Sequence, residues 1–158
     1  MTEKIKKMTV HATCIAMENG KHVTGVLLRG TAGSGKSDTA FRLIETHGFK
    51  LVSDDQVIIQ SRGDTLYASP AENIAGMMEV RGLGLLRYPL VFSAPLRLVV
   101  DLVPRENVPR LPDVLKTDFM EKTLPYVQLH GHDNSTPLKI IKMLEIDATP
   151  GLMVDCPP

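Results

Sequence analysis

Hydrophobic and polar positions along the chain predict more strand than helix. Stretches rich in β-branched and apolar residues, bounded by turn residues, predict strands over 8–17, 22–29, 49–52, 57–60, 95–103 and 124–129. Apolar residues at helical spacing predict two helices, over 37–47 and 135–146. The pair Asn19-Gly20 between the first two strands predicts a tight hairpin. Together these elements predict an α/β fold, a single domain with a mixed β-sheet and few helices.

The segments between these elements predict caps, turns and loops. Gly48 follows the first predicted helix at the position of a left-handed C-cap, and Ser135 or Thr136 lies near the N-cap of the second. Segment 104–112 contains three prolines together with charged residues, which predicts a loop. Segment 71–77 fits either a loop or a short helix.

Composition narrows the class of protein. The chain has 158 residues, 43% of them hydrophobic, which suits one domain with its own core. We predict this domain over 1–148 and a flexible tail over 149–158. The 18 basic and 18 acidic residues give no net charge, which argues against a protein that coats nucleic acid or an anionic membrane. Cys14 and Cys156 lie at opposite ends of the chain, so a disulfide framework is not expected. The chain has no apolar run of membrane-spanning length, and its N-terminal stretch makes a poor signal peptide, which predicts a cytoplasmic protein.

One segment carries a specific chemical signature. It matches the spacing G-x-x-x-x-G-K-[ST] of a P-loop, and it lies between a predicted strand and a predicted helix. In such a loop the backbone N–H groups face phosphate oxygens, Lys36 would charge-pair with the β- and γ-phosphates, and the Ser37 hydroxyl would ligate Mg²⁺. The alternative is a glycine-rich turn without a ligand, but the flanking elements favour binding of a nucleotide. The predicted nucleotide-binding residues are Gly30, Thr31, Ala32, Gly33, Ser34, Gly35, Lys36 and Ser37.

Acidic residues near the ends of predicted strands are the next candidates. Asp54 and Asp55 follow the strand after the P-loop helix, where one could hold a metal or water and the other could accept a proton from a hydroxyl. They could equally cap a turn. Glu79 and Arg81 alternate with apolar residues, so on a strand both would face one side, where a surface ion pair is the simpler explanation. The glycines that follow suggest a close approach of the backbone to another group.

The remaining candidates are histidines and one arginine. His11 lies on the first predicted strand and could reach the phosphate end of the site, or it could be structural. Arg110 lies in the proline-rich loop, where it could contact phosphate or only solvent. His130, His132 and Asp133 could hold a metal, but three such residues in a polar turn are more commonly solvated.

The P-loop, the Val52-Ser53-Asp54-Asp55 segment and the Glu79-Val80-Arg81-Gly82-Leu83-Gly84 segment occur in an order that resembles one known family. The family is the catalytic domain of bacterial HPr kinase/phosphorylase, and the third segment is far more specific to it than the P-loop. The resemblance runs from about residue 11 to residue 144 and is closest to the short, alphaproteobacterial form, which lacks the N-terminal domain. It implies the P-loop fold shared with phosphoenolpyruvate carboxykinase.

The resemblance also implies a function. It implies a protein-serine kinase that transfers the γ-phosphoryl group of ATP to a serine of HPr, the small phosphocarrier of the phosphotransferase system, with Mg²⁺ as cofactor. Carried over by position, Lys36 is the phosphate lysine, and Asp54 is the residue that removes the proton of the acceptor serine. Ser37 and Glu79 are the metal ligands in the same comparison, and His11 is the active-site histidine.

The last carry-over and the departures lie in the second half of the chain. Arg110-Leu111 resembles the family's Arg-Leu pair in a mobile loop, which makes Arg110 a further catalytic candidate. The long form also removes phosphate by phosphorolysis, using an arginine-containing loop before its last helix. The matching stretch here, 130–134, has no arginine, so we expect the kinase direction. The long form is a homo-oligomer, which makes a homo-oligomer an expectation for this chain.

Two other functions fit parts of the pattern. A regulatory module could bind a nucleotide through the P-loop and transfer nothing to protein, although it would not need both Asp54 and Glu79. A kinase of a small metabolite would usually carry an arginine-bearing lid, for which only segment 104–112 is available.

Overall fold

The computed structural model describes residues 5–154, so residues 155–158 of the predicted tail and Cys156 lie outside the described residues. Strands dominate this part of the chain, and two α-helices accompany them. The strands, numbered in chain order, are β1 (Lys7–His11), β2 (Thr13–Asn19), β3 (His22–Arg29), β4 (Lys50–Ser53), β5 (Gln56–Arg62), β6 (Thr65–Pro70), β7 (Met77–Val80), β8 (Gly84–Arg87), β9 (Ala94–Leu102), β10 (Lys116–Phe119) and β11 (Lys122–Leu129). The helices are α1 (Lys36–His47) and α2 (Thr136–Ala148), and short 3-10 turns span Glu72–Ile74, Arg105–Asn107 and Pro150–Leu152. The mixed α/β architecture predicted from the sequence is confirmed.

Nine of these strands form one mixed sheet, and β9 lies at its centre. The order is β1-β5-β6-β9-β3-β2-β4, with β11 also paired to β9 and β10 paired to β11. Strand β9 is parallel to both β3 and β11. The carboxyl ends of these three strands therefore meet at one edge of the sheet, which is where ligands bind in sheets of this kind. The segments that follow them begin at residues 30, 103 and 130.

The two sides of this sheet carry separate hydrophobic cores. One core contains the helices: α1 contributes Ala40 and Leu43, and α2 contributes Ile140 and Met143. The other core contains only strand and loop residues, among them Leu27 of β3. Successive residues of a strand face opposite sides, so β3 supplies both cores. Through this helical core, α1 packs against the face of the sheet that carries Val26 and Leu28 of β3.

The best predicted elements are those with a complete local pattern. The β2–β3 hairpin forms with Asn19 paired to His22, as the Asn-Gly turn predicted. Helix α1 ends at Gly48, whose φ of +73° is the predicted left-handed C-cap. Ser135 takes the N-cap position of α2, although its side chain makes no capping hydrogen bond.

The predicted strand over 8–17 is wrong as one element, because it is interrupted at Ala12. There the chain changes partner: β1 pairs with β5 and β2 pairs with β4. The N–H of Ala12 donates to the carbonyl of Asp55 at 3.1 Å, which links the break between β1 and β2 to the break between β4 and β5. Strands β6, β7, β8 and β10 were not predicted. Three of them span only four residues, too few to display a period.

Candidate functional site

The P-loop connects the end of β3 to the start of α1. Gly35 precedes the helix with a φ of +97°, a conformation in which any other residue would be strained. The first hydrogen bond of the helix runs from the N–H of Thr39 to the carbonyl of Gly35 at 2.8 Å. The preceding N–H groups of α1 therefore have no partner in the helix and face the loop, an arrangement that favours anions.

The side chain of Lys36 places its own positive charge inside this loop. The residue is 8% exposed, and its Nζ donates to the carbonyl oxygens of Gly30 at 2.8 Å and Thr31 at 3.0 Å. Both acceptors are neutral carbonyls, so the positive charge is not neutralised by a carboxylate. This charge is available to a phosphate group that enters the loop.

Asp54 lies behind the loop and joins it to the sheet. Asp54 is 6% exposed, and its Oδ1 accepts hydrogen bonds from the Ser37 hydroxyl at 2.7 Å and the Thr13 hydroxyl at 2.8 Å. Thr13 begins β2, which pairs with β4 at the point where β4 leads into Asp54. A hydroxyl and a carboxylate placed together are oxygen ligands of the kind that Mg²⁺ prefers. The donor set at Ser37 and Asp54 therefore fits a magnesium ion.

Asp55 differs from Asp54 in both its exposure and its partner. Its φ of +67° lies at the irregularity between β4 and β5, and its side chain is exposed. Its Oδ1 accepts a hydrogen bond from Nε2 of His11 at 2.8 Å. The backbone hydrogen bond from Ala12 to Asp55 holds His11, which precedes Ala12, next to Asp55. The structure therefore offers one buried carboxylate at the P-loop hydroxyl and one exposed carboxylate paired with a histidine.

Glu79 lies in a separate two-stranded sheet formed by β7 and β8, and Arg81 lies in the turn between these strands. Met78 of β7 is buried in the helical core, so Glu79 faces outward and is exposed. Strand β7 ends at Val80, and Arg81 belongs to the turn that follows, so the two side chains do not alternate along one strand. Within residues 5–154, neither side chain takes part in a hydrogen bond or ion pair. The structure does not join Glu79 to Ser37 by a direct contact.

The proline-rich segment is connected to the site by a different arginine from the predicted one. Arg110 is exposed, and its guanidinium makes no hydrogen bond or ion pair within residues 5–154. Arg105 of the same segment instead donates to Asp133 Oδ1 from its Nε at 3.1 Å. This hydrogen bond from Arg105 lowers the pKa of Asp133 below its usual value, and the Asp133 carboxylate in turn raises the pKa of Arg105.

The turn after β11 packs against the P-loop, which sequence reasoning missed. His132 Nε2 donates to the carbonyl of Gly33 at 3.0 Å, and Arg42 of α1 donates to the carbonyls of Gly131 and Asp133. These contacts place the turn at 130–133 against the loop. Among residues 5–154, no three His, Cys, Asp or Glu side chains are arranged to hold a metal. The sequence did predict the strand that precedes this turn. It did not predict that this strand pairs with β9 in parallel, which is what brings the turn to the P-loop.

A second network fixes the strand ends just before the P-loop. Arg29, the last residue of β3, donates to both carboxylate oxygens of Asp101, at 2.7 and 3.0 Å. The hydroxyl of Tyr126 donates to the same carboxylate at 2.7 Å. Burial, together with the hydrogen bond and charge of Asp101, raises the pKa of Tyr126 to about 12. The network ties β3, β9 and β11 together one residue before Gly30.

A strand, a glycine-rich loop and a helix with Lys36 and Ser37 at its start define the chain as a P-loop domain. A family model described as the HPr Serine kinase C-terminal domain matches residues 3–129. The chain therefore belongs to the HPr serine kinase C-terminal domain family, as the motifs predicted. Kinases of this family use a nucleotide.

Individual relatives agree with this family. The chain is 28% identical over 152 residues to HPr kinase/phosphorylase of Lactobacillus acidophilus, covering 89% of this chain and 44% of the relative. It is 37% identical over 118 residues to HPr kinase/phosphorylase of Geobacillus kaustophilus, covering 64% of this chain and 38% of the relative. The chain thus spans less than half the length of these relatives.

A solved structure has the same fold. The Hpr(Ser) kinase/phosphatase from Coxiella burnetii superposes with a TM-score of 0.75 at 23% identity, covering 92% of this chain and 99% of that chain. Separately, none of the helices in the described part of this chain is long and apolar enough to cross a membrane.

Proposed function

We propose that this chain is an ATP- and Mg²⁺-dependent protein-serine kinase whose substrate is a phosphocarrier of the HPr type. The observation that carries the proposal is the joint placement of the Lys36 ammonium and the Ser37–Asp54 pair at one P-loop. Phosphoryl transfer depends mainly on positioning and on neutralising charge, which is what these groups supply. The names of the relatives support HPr as the substrate.

Each group of the loop has a separate task in the proposed reaction. The free N–H groups at the start of α1 would bind phosphate oxygens of ATP, and Lys36 would bind the β- and γ-phosphates. Ser37 and Asp54 would hold Mg²⁺, with Glu79 as the further ligand that the family resemblance assigns, and the ion would neutralise charge on the phosphates. Glu79 would have to approach the loop when the substrates bind, because it makes no direct contact with Ser37 here.

We further propose that Asp55, rather than Asp54, accepts the proton of the substrate hydroxyl. The Oδ1 of Asp54 already accepts hydrogen bonds from the hydroxyls of Ser37 and Thr13, which commits this buried carboxylate to the P-loop. Asp55 is exposed, and a histidine donates to one of its oxygens, which leaves the other oxygen free. In the reaction the serine oxygen would attack the γ-phosphorus, ADP would leave, and the serine proton would move to Asp55.

His11 would orient the carboxylate of Asp55, and Arg110 would reach the phosphates if the proline-rich segment moves. The hydrogen bond from His11 fixes one oxygen of Asp55 and leaves the lone pairs of the other toward solvent. Arg110 is free of partners within residues 5–154, and it lies in the segment that Arg105 attaches beside the P-loop. The turn at 130–134 has no arginine, which favours the kinase direction.

The proposal is tested by incubating the chain with ATP, Mg²⁺ and purified HPr-type carriers and recording the intact mass of each carrier. We expect one carrier to gain the mass of one phosphate, and we expect Lys36→Ala to abolish the gain. Binding of ATP without a mass gain on any carrier would instead support a regulatory nucleotide-binding module.

A further inference from the structure

The turn that follows β11 is built against the backbone of the P-loop. A Cβ at Gly131 would lie 2.1 Å from the carbonyl oxygen of Ser34, and a Cβ at Gly35 would lie 3.2 Å from Gly131. The two backbones therefore touch at a place where neither residue can carry a side chain. This contact arises because β3 and β11 are both parallel to β9 and end at the same edge of the sheet.

His132 is the only side chain of this turn that reaches the P-loop carbonyls in the described part of the chain. Its Nε2 lies 3.0 Å from the carbonyl oxygen of Gly33. A ring nitrogen can bond to a carbonyl only as a donor, so this nitrogen carries the proton. The neighbouring His130 is fixed in turn by its Nδ1, which donates to the carbonyl of Val103 at 2.9 Å, and the two rings meet edge to face with centroids 5.5 Å apart.

The hydrogen bond from His132 fixes the carbonyl side of the peptide group between Gly33 and Ser34. In a trans peptide the C=O of one residue and the N–H of the next point in opposite directions. With the carbonyl of Gly33 held outward by His132, the N–H of Ser34 must point across the loop. It does so, because it donates to the carbonyl of Thr31 at 3.1 Å. If this peptide turned over, a carbonyl oxygen would face the anion and repel it.

We propose that His132 is a positioning residue for nucleotide binding, which holds the carbonyl of Gly33 away from the interior of the P-loop, where its oxygen would repel the phosphates. The inference rests on the proposed function, because it requires that the P-loop binds a nucleotide. In this role His132 would act through the loop. Gly33 is exposed, and a Cβ placed there would meet nothing within 4 Å, so this peptide is held by its two hydrogen bonds, to His132 and to Thr31, rather than by packing.

The loss of one such hydrogen bond would weaken nucleotide binding by about three- to tenfold. The fold would be unaffected, since His132 is exposed and contributes to neither hydrophobic core. His132→Leu removes the donor. His132→Gln retains an amide N–H at a similar reach and should restore binding. His22→Leu is the matched control, because His22 is also exposed and lies at the opposite end of β3.

The experiment is a calorimetric titration of the whole chain with MgADP, combined with thermal unfolding of each variant. We expect His132→Leu to bind about three- to tenfold more weakly at an unchanged melting temperature, with His132→Gln and His22→Leu close to the unsubstituted chain. Equal affinity of His132→Leu and the unsubstituted chain would overturn the inference. An affinity loss in His132→Gln as large as in His132→Leu would also overturn it, because the donor would then have no part in binding. Failure of the unsubstituted chain to bind MgADP would be a different result, which would refute nucleotide binding itself.

Discussion

Substitution of Asp55 should separate binding of the nucleotide from transfer of the phosphoryl group. Asp55→Asn keeps the shape of the side chain and removes its capacity to accept a proton. The side chain of Asp55 is hydrogen-bonded to His11 and to no residue of the P-loop. The affinity for MgATP should therefore stay within about twofold. General-base catalysis contributes about 100- to 10,000-fold, so the transfer rate should fall by that factor, or by about 2.7–5.4 kcal/mol in the barrier.

The neighbouring substitution, Asp54→Asn, should have the opposite signature. Oδ1 of Asp54 accepts two hydroxyl hydrogen bonds, from Ser37 and Thr13, in a buried position. Hydrogen bonds to a charged group are worth about 1.5–3 kcal/mol each, roughly twice those to a neutral one. An asparagine oxygen still accepts both, so the loss amounts to about 1–3 kcal/mol in unfolding free energy. The affinity for MgATP should fall as well, because the anionic ligand beside Ser37 is gone.

The assay is a time course in which samples are quenched and the phosphate on the protein substrate is measured. The affinity for MgATP is measured on the same protein preparations. Asp118→Asn serves as a control, since Asp118 is an exposed acidic residue of β10 away from the P-loop. If Asp55→Asn transferred phosphate at the unsubstituted rate, the proton acceptor would have to be another group. If Asp54→Asn lost transfer while binding and stability stayed unchanged, the assignment of the two carboxylates would be reversed.

Three further predictions concern the supports of the loop. Gly131→Ala should lower the unfolding free energy by about 1–3 kcal/mol and weaken nucleotide binding, whereas Gly151→Ala, where a Cβ meets nothing, should change neither in denaturant titrations. Tyr126→Phe should cost about 0.5–1.5 kcal/mol in urea unfolding at pH 8. Because the folded-state pKa of this tyrosine is raised to about 12, its contribution is complete below pH 10 and should disappear as the pH rises through 12. Arg105→Gln should return the lowered pKa of Asp133 toward its ordinary value in an NMR titration, and an unchanged pKa would mean that the ion pair does not form in solution.

The parts of the site that are contiguous in sequence were predictable. The P-loop is one string between a strand and a helix, and Gly48 marks the end of that helix by its local conformation alone. Asp54 and Asp55 were both predicted at the end of a strand facing the site. Their division into a buried and an exposed carboxylate was not, because it depends on the +67° φ of Asp55 and on the break of the opposite strand at Ala12.

The parts that depend on long-range register were not predictable. The contact between Gly131 and the P-loop requires that β11 be parallel to β9 with Leu129 opposite Leu102. A single sequence carries no signal for such a pairing, since several apolar strands could occupy the place beside β9. The position of Glu79 in a separate hairpin was missed for another reason, because each of its strands has only four residues.

Transfer of phosphate from ATP to a serine of an HPr-type carrier can be tested by mapping the phosphorylated residue on the carrier. The carrier would be incubated with the chain and MgATP, treated with acid to remove phosphate from histidine, and sequenced by tandem mass spectrometry. We expect one acid-stable phosphate on a serine, absent when Lys36→Ala replaces the unsubstituted chain. Bound ATP with no phosphoserine on any carrier would contradict it.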